Sequence, residues 1–322
     1  MASVTGLADL PPYPANLDFF CSELSRREEE PLYGTAVNAA IWLLLEYNGP
    51  WYAQATENNA LPPSVQAWLQ AQLRAVGSGR LQFIKQDLSR QTGFTFFVAA
   101  PCESEPRLYR FQLERYDDLF GLDLPAVVAG DSHGDGRYDQ HHHADPLYLV
   151  CTNGRRDRCC ALFGLSFYQA LRQRVGAAAW QTTHLGGHRF APTLMAFPAG
   201  NGYGRLNPGE VDAFLASQQR GDIDLDIWRG RTCYDAVTQT ADYFLRQLTG
   251  QRHINRCRHL ATRELDERRW SVHFLDPTTS QTHSIELLEE PRLIYASCDA
   301  VKAKPVMHYR FLSHETGNHA GV

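Results

Sequence analysis

Two stretches of the chain place the same kinds of residue in the same order, and that recurrence limits the architecture more than any other feature. WLLLEYNG, at 42–49, is a short apolar run closed by a turn, and YLVCTNG, at 148–154, is another. Apolar runs of this length bounded by Asn-Gly have the size of buried strands. A helical pattern follows each. Then RLQFIK matches AAWQTTH, GFTFFVAAPCESEPRLYRF matches RFAPTLMAFPAGNGYGRL, and DDLF matches EVDAFL. Both stretches read β-α-β-β-β-α, which predicts an α/β fold.

The helices can be placed within this frame. Ser64 is expected to cap a helix through VQAWLQAQLRA, whose apolar residues at 65, 68, 69 and 73 share a face. ALFGLSFYQALRQRV has apolar positions at 163, 167, 171 and 175. Asn207-Pro208 opens a further helix with Pro at its first position, where the missing N–H costs nothing. Residues 1–18 are Pro-rich and read as an extended arm, and the charge run Arg26 to Glu30 reads as a solvated face. Residues 129–146 form a polar, Gly- and His-rich break. The expected units are 1–145, an α/β half; 146–250, a second half; and 251–322, a small extension. From 222 a loop leads to an amphipathic helix over about 234–248. RRWSVHFLD, TTSQTHSIELLEE and VMHYRFLSHE then alternate apolar and polar residues, which makes the extension β-rich. The two halves are either diverged copies of one thioredoxin-like unit, the first degenerate, or convergent α/β patterning. The sequence leaves both open.

Bulk properties exclude some classes of function. At 322 residues the chain has room for two ordinary domains, and its net charge of −5 gives no global attraction for nucleic acid or an anionic membrane. The longest apolar runs, such as Ala39 to Leu45, are too short to cross a bilayer. The N-terminus lacks the basic start and apolar core of a secretory signal, so a cytoplasmic location is expected. A disulfide framework belongs to small secreted domains. Of the eight cysteines, Cys21, Cys102, Cys233, Cys257 and Cys298 are therefore expected to be buried packing thiols.

The remaining three cysteines have partners. Cys151, Cys159 and Cys160 lie at the end of an apolar run, and His184 and His188 lie in a loop after the next one. Thiolates suit iron–sulfur clusters, zinc and copper, and imidazole suits iron, zinc and copper. A zinc finger needs its cysteines a few residues apart and its histidines on a helix. Here eight residues separate Cys151 from Cys160, and Gly186-Gly187 sits between the histidines. That is loop chemistry. A two-iron, two-sulfide cluster accepts two histidines in place of two cysteines, and adjacent glycines allow backbone amides to approach sulfide. Spacing alone allows either Cys159 or Cys160 as the second thiolate. The first half offers no such set: Glu46 stands where Cys151 stands in the second, and no His-x-x-x-His occurs near Lys85.

VCTNGRRDRCC, THLGGHRFAPTLMAFP and YGRL, with GTAVNAAIWLLLEYNGPW before them and WRGRTC after, resemble the sucrase/ferredoxin-like family. Its members include the yeast thioredoxin-like ferredoxins. The resemblance covers most of the chain, with the extension only loosely similar. It implies a thioredoxin-like domain that holds a [2Fe–2S] cluster on the C-x8-C and H-x3-H elements. The ligands so implied are Cys151, Cys160, His184 and His188, one iron taking the cysteines and the other the histidines. The expected function is one-electron transfer to an unknown redox partner protein.

Two other classes compete. A thiol–disulfide oxidoreductase would use Cys159 and Cys160 or Cys151, but no C-x-x-C occurs, and bridging vicinal cysteines strains the backbone. A structural zinc module that docks other proteins is the third. Arg155, Arg156 and Arg158 are either a solvated turn or a surface for an acidic partner. The His141 to His143 tract is expected in a surface loop, and His273 and His308 as ordinary packing or surface residues. Neither a phosphate loop nor a G-x-S-x-G nucleophile elbow is present.

Overall fold

The computed structural model of the protein describes residues 19–86, 93–129 and 136–318. The Pro-rich arm expected at 1–18 and part of the break at 129–146 lie outside them. The apolar runs form strands where expected. The first half contains β1 (Ile41–Glu46), α2 (Pro63–Ala75), β2 (Gly79–Lys85), β3 (Phe94–Ala100), β4 (Arg107–Leu113) and α3 (Leu124–Ala129), preceded by α1 (Cys21–Arg27). The second contains β5 (Leu147–Cys151), α4 (Leu165–Val175), β6 (Ala179–Thr182), β7 (Leu194–Phe197), β8 (Asn201–Tyr203), α5 (Val211–Arg220), β9 (Trp228–Arg231) and α6 (Ala236–Thr249).

All nine strands belong to one sheet, in the order β4-β3-β1-β2-β6-β5-β7-β8-β9. β1 runs parallel to β2 and antiparallel to β3, which is antiparallel to β4. In the second half β5 runs parallel to β6 and antiparallel to β7, which is antiparallel to β8. Order and sense are therefore the same in both halves. They join edge to edge where β2 meets β6, antiparallel, through Ile84 opposite Thr182 and Lys85 opposite Gln181.

Period-two alternation sends each strand's apolar residues to two cores. Leu43 and Leu45 of β1 pack with Val65 and Leu69 of α2, while Tyr148 and Val150 of β5 pack with Phe167 and Leu171 of α4. The opposite face unites the halves. Trp42, Leu44 and Ile84 from the first share one core with Leu149, Cys151, Cys160 and Trp180 from the second. The thiol-bearing end of β5 thus lies in the core common to both.

A four-stranded antiparallel sheet closes the chain: β10 (Arg258–Asp266), β11 (Arg269–Asp276), β12 (Gln281–Ile294) and β13 (Lys304–Asn318), in that order. It packs Val272, Phe274, Ile285 and Leu287 against Val237, Ala241 and Leu245 of α6. Among the described residues no helix is long and apolar enough to cross a membrane.

Several local expectations are corrected. Ser64 is not the cap, because α2 begins at Pro63 with Pro62 before it and no side-chain cap. Asn207 does cap, accepting from Gly209 N at 3.0 Å. Glu30 is not solvated: it is 3% exposed and ion-paired to Arg189 at 2.7 Å. β9 and β10 were not expected, since WRGR and RHLATRELD carry too many charges to show an apolar alternation.

Candidate metal centre

Two loops build the site, each leaving the end of a parallel strand. β5 ends at Cys151, and the chain turns through Asn153 and Gly154 into a π-helical turn, Cys160–Gly164, that leads to α4. Gly164 must be glycine for steric reasons, since a Cβ there would lie 2.1 Å from the Cys151 carbonyl oxygen. That close approach brings Cys160 back beside Cys151. From β6 the chain passes through His184 to Gly186 and Gly187, both at positive φ, and into a 3-10 turn, His188–Phe190. A Cβ on Gly187 would meet the Arg229 guanidinium at 2.6 Å. The two left-handed residues reverse the chain and bring His188 over His184.

The four predicted residues are together. The donor atoms of Cys151, Cys160 and His184 lie within 4.8 Å of one another. Cys151 Sγ is 4.0 Å from His184 Nδ1, and His184 Nε2 is 3.4 Å from His188 Nδ1. Both thiols are buried and His184 is half-buried. His188 Nε2 is buried without a hydrogen-bonding partner and faces Asp157 Oδ2 at 3.7 Å.

Electrostatics separate the two thiols. A hydrogen bond from Cys160 holds Cys151 well below the ordinary thiol range against the opposing effect of burial, with help from His184 and the Asn153 amide. Cys160 is pushed up, first by that same hydrogen bond and then by burial. Burial holds His188 below the ordinary imidazole value, opposed by Asp157.

The surrounding structure fixes the loops. The His184 carbonyl accepts from Arg80 Nη2 at 3.0 Å and Gln82 Nε2 at 3.3 Å, both side chains of β2 in the first half. Arg229 on β9 donates to the Gly186 carbonyl at 3.0 Å and to Thr35, and burial lowers its pKa to about 9. Arg189, next to His188, pairs with Glu30. Arg155, Arg156 and Arg158 are exposed on the turn, with Arg158 donating to the Phe19 carbonyl at 3.3 Å.

Cys159 faces the other way. Its sulfur lies 3.6 Å from Cys21 Sγ and 3.3 Å from Cys298 Sγ, with Asp157 beside them. Hydrogen bonds from Cys21, Cys298 and Ser22 bring the Cys159 thiol down to about 4, and the same contacts push Cys21 up. Cys21 and Cys298, buried as expected, and the buried Asp157 belong to this group, and their wide separation in sequence hid the grouping. The one signal available was the vicinal pair itself, which leaves one thiol outside a set of two thiols and two imidazoles. Cys102, Cys233 and Cys257 stand apart from both groups. The His141–His143 tract lies on the surface, half-buried to exposed, with the His141 ring 4.6 Å from that of Phe111.

The sucrase/ferredoxin-like family model matches residues 32–230. A protein named "Altered inheritance of mitochondria protein 32", from Meyerozyma guilliermondii, is 31% identical over 104 residues, 29% of this chain and 37% of that protein. The match therefore spans little more than a third of the relative's length. No solved structure matches the chain. With the family match running from before β1 to β9, through both loops of the site, the chain belongs to the sucrase/ferredoxin-like family.

Proposed function

We propose that the protein is a one-electron carrier that holds a [2Fe–2S] cluster on Cys151, Cys160, His184 and His188. The observation that carries this reading is the convergence of two thiols and two imidazoles from separate loops. The donor set fits such a cluster: soft sulfur on one side, imidazole on the other, and an amide aimed at Cys151. When bound, the cluster would supply a reversible one-electron couple whose potential imidazole ligation raises.

The chain's own groups shelter and orient. Burial of Cys151 and Cys160 keeps solvent from the sulfurs, while half-buried His184 marks the side a partner can approach. The exposed arginines of the turn suit an acidic redox partner protein. A compartment that keeps thiols reduced, the cytoplasm on this reading, suits the site. The common strand order and sense of the halves support reading both as thioredoxin-like units, the first at 1–145 without a cluster and the second at 146–250 with it. Residues 251–322 are then a β-rich addition.

The depressed Cys151 and raised Cys160 also match the low and high pair of a dithiol catalyst. Against that, each cysteine is only 1% exposed, which leaves no path for a substrate disulfide. Zinc would suit the same donors. Anaerobic purification decides among the three. A coloured protein with iron and acid-labile sulfide in equal amounts, and an EPR signal on reduction, is expected. Failure to incorporate iron and sulfide on anaerobic reconstitution would sink the reading. Disulfide reduction that survives His184→Ala would favour the catalyst instead.

A further inference from the structure

The second thiol group is built like a metal site in its own right. Cys21 comes from α1, Asp157 and Cys159 from the turn after β5, and Cys298 from the segment between β12 and β13. The three sulfur–sulfur separations are 3.3, 3.6 and 3.7 Å. Asp157 Oδ1 lies 3.2 Å from Cys298 Sγ and 3.7 Å from Cys21 Sγ. All four donor atoms fall within 4.8 Å of one another, and all four residues are buried.

A tetrahedral ion with metal–sulfur bonds of about 2.3 Å sets its sulfurs about 3.8 Å apart. The observed separations come close to that spacing, and they far exceed a disulfide bond of about 2.05 Å. Hydrophobic packing accounts for three buried thiols. It does not by itself call for a carboxylate enclosed among them, which adds an oxygen donor within reach of the three sulfurs. The group also has the outer donors that thiolate ligands need. Cys21 N points at Cys298 Sγ at 3.5 Å and Ser22 Oγ at Cys159 Sγ at 3.3 Å. The amides of Cys159 and Cys298 hold the carboxylate in place, at 2.9 Å to Oδ1 and 3.0 Å to Oδ2.

We propose that Cys21, Asp157, Cys159 and Cys298 bind a zinc ion, at a site separate from that of Cys151, Cys160, His184 and His188. Three sulfurs and one carboxylate oxygen are a zinc donor set, whereas magnesium and calcium take oxygen alone. The sulfurs bind as thiolates, any proton still held going to solvent, with no change in oxidation state. Four protein ligands close the shell and leave no position for substrate, so the role is structural. The ion clamps two segments 277 residues apart in the chain onto the turn that carries Cys160, whose Cys159 lies 138 and 139 residues from them. Asp157 spans the two sites, with Oδ1 among the sulfurs and Oδ2 facing His188. The proposal stands whether or not the neighbouring residues hold iron.

Metal analysis of the full chain tests it. Wild-type protein should carry about one zinc per chain in this closed site. Cys21→Ser and Cys298→Ser should lose that zinc and keep whatever iron and visible absorbance the wild type has, while Cys160→Ser should keep the zinc. If the serine variants prove insoluble, cobalt(II) titration of Cys160→Ser decides. Tetrahedral bands with the charge-transfer intensity of three thiolates support the site. Bands of one thiolate, or none, overturn it. Wild type that takes up no zinc, zinc content unchanged in Cys298→Ser, or a Cys159–Cys298 disulfide in mass mapping of the purified protein would also overturn it.

Discussion

Glu46 ends β1 and Cys151 ends β5, and these are the central strands of two half-sheets with the same order and sense. In the first half the terminal side chain serves the backbone. Glu46 Oε2 accepts from Thr95 N at 2.8 Å, and its carbonyl accepts from Tyr116 Oη at 3.2 Å. In the second half the terminal side chain faces another thiol and an imidazole. The parallel partner strands diverge in the same way. β2 ends at Lys85, whose ammonium sits 4.3 Å from the Trp51 ring, while β6 ends at Thr182 and the loop after it carries His184. The same scaffold gathers possible metal donors only where loops beyond its strand ends supply them. The half without donors is nonetheless part of the site, because Arg80 and Gln82 hold the His184 carbonyl.

The largest effect is expected on the second half alone. Cys160→Ser should reduce iron, sulfide and visible absorbance to near zero in anaerobically purified protein. If a serine at 160 retains full iron, the second half is not the cluster-bearing one and the comparison collapses.

Glu30→Gln comes next and tests whether the segment leading into the first half braces the second. Glu30 and Arg189 are both largely buried, so removing the carboxylate should cost about 3 kcal/mol in urea denaturation. Burial alone would raise the Glu30 carboxyl, but His308 and then Arg189 outweigh it and hold the group below its ordinary value. Between that lowered value and about 4.3 the unfolded chain binds more protons than the folded one. The stabilisation is therefore complete above the unfolded value and disappears as pH falls through the folded one. Urea midpoints measured from pH 7 down to pH 3 should show this decline in wild type and lose part of it in Glu30→Gln.

A smaller effect should follow Arg80→Met, which keeps the side chain's bulk and removes its donors. His184 would lose one of the two groups on its carbonyl, and retention of iron against a chelator should weaken about tenfold. The thermal midpoint should change little by comparison. A large fall in stability with unchanged iron retention would mean that Arg80 supports the core and not the loop.

Much of this arrangement could be read from the residues. β1 and β5 showed themselves as apolar runs because both faces of the sheet are covered there, so each run is continuous. Although the choice of Cys160 over Cys159 came from the family resemblance, the meeting of two thiols and two imidazoles was legible because two loops carry them at close spacing. Cys21, Asp157 and Cys298 were not, since chain topology alone brings them together and no local spacing records it. β9 was hidden for a related reason. Its Arg229 and Arg231 are buried in a strand by hydrogen bonds to carbonyl groups from other parts of the chain, and those partners cannot be read from WRGR. Glu30 looked solvated because its neighbours at 26–29 are.

The smallest expected effect sharpens the comparison most directly. Glu46→Gln preserves an acceptor oxygen for the Thr95 amide and removes only the charge. If the first half uses Glu46 as a backbone partner, the substitution should cost less than about 1 kcal/mol, because a neutral hydrogen bond replaces a charged one. Iron content and chelator resistance should match wild type. A loss of several kcal/mol, or any change in iron content, would mean that the Glu46 charge acts on the neighbouring loops. The end of β1 would then be a functional counterpart of the end of β5, and the difference between the halves would be one of ligand type and not of role.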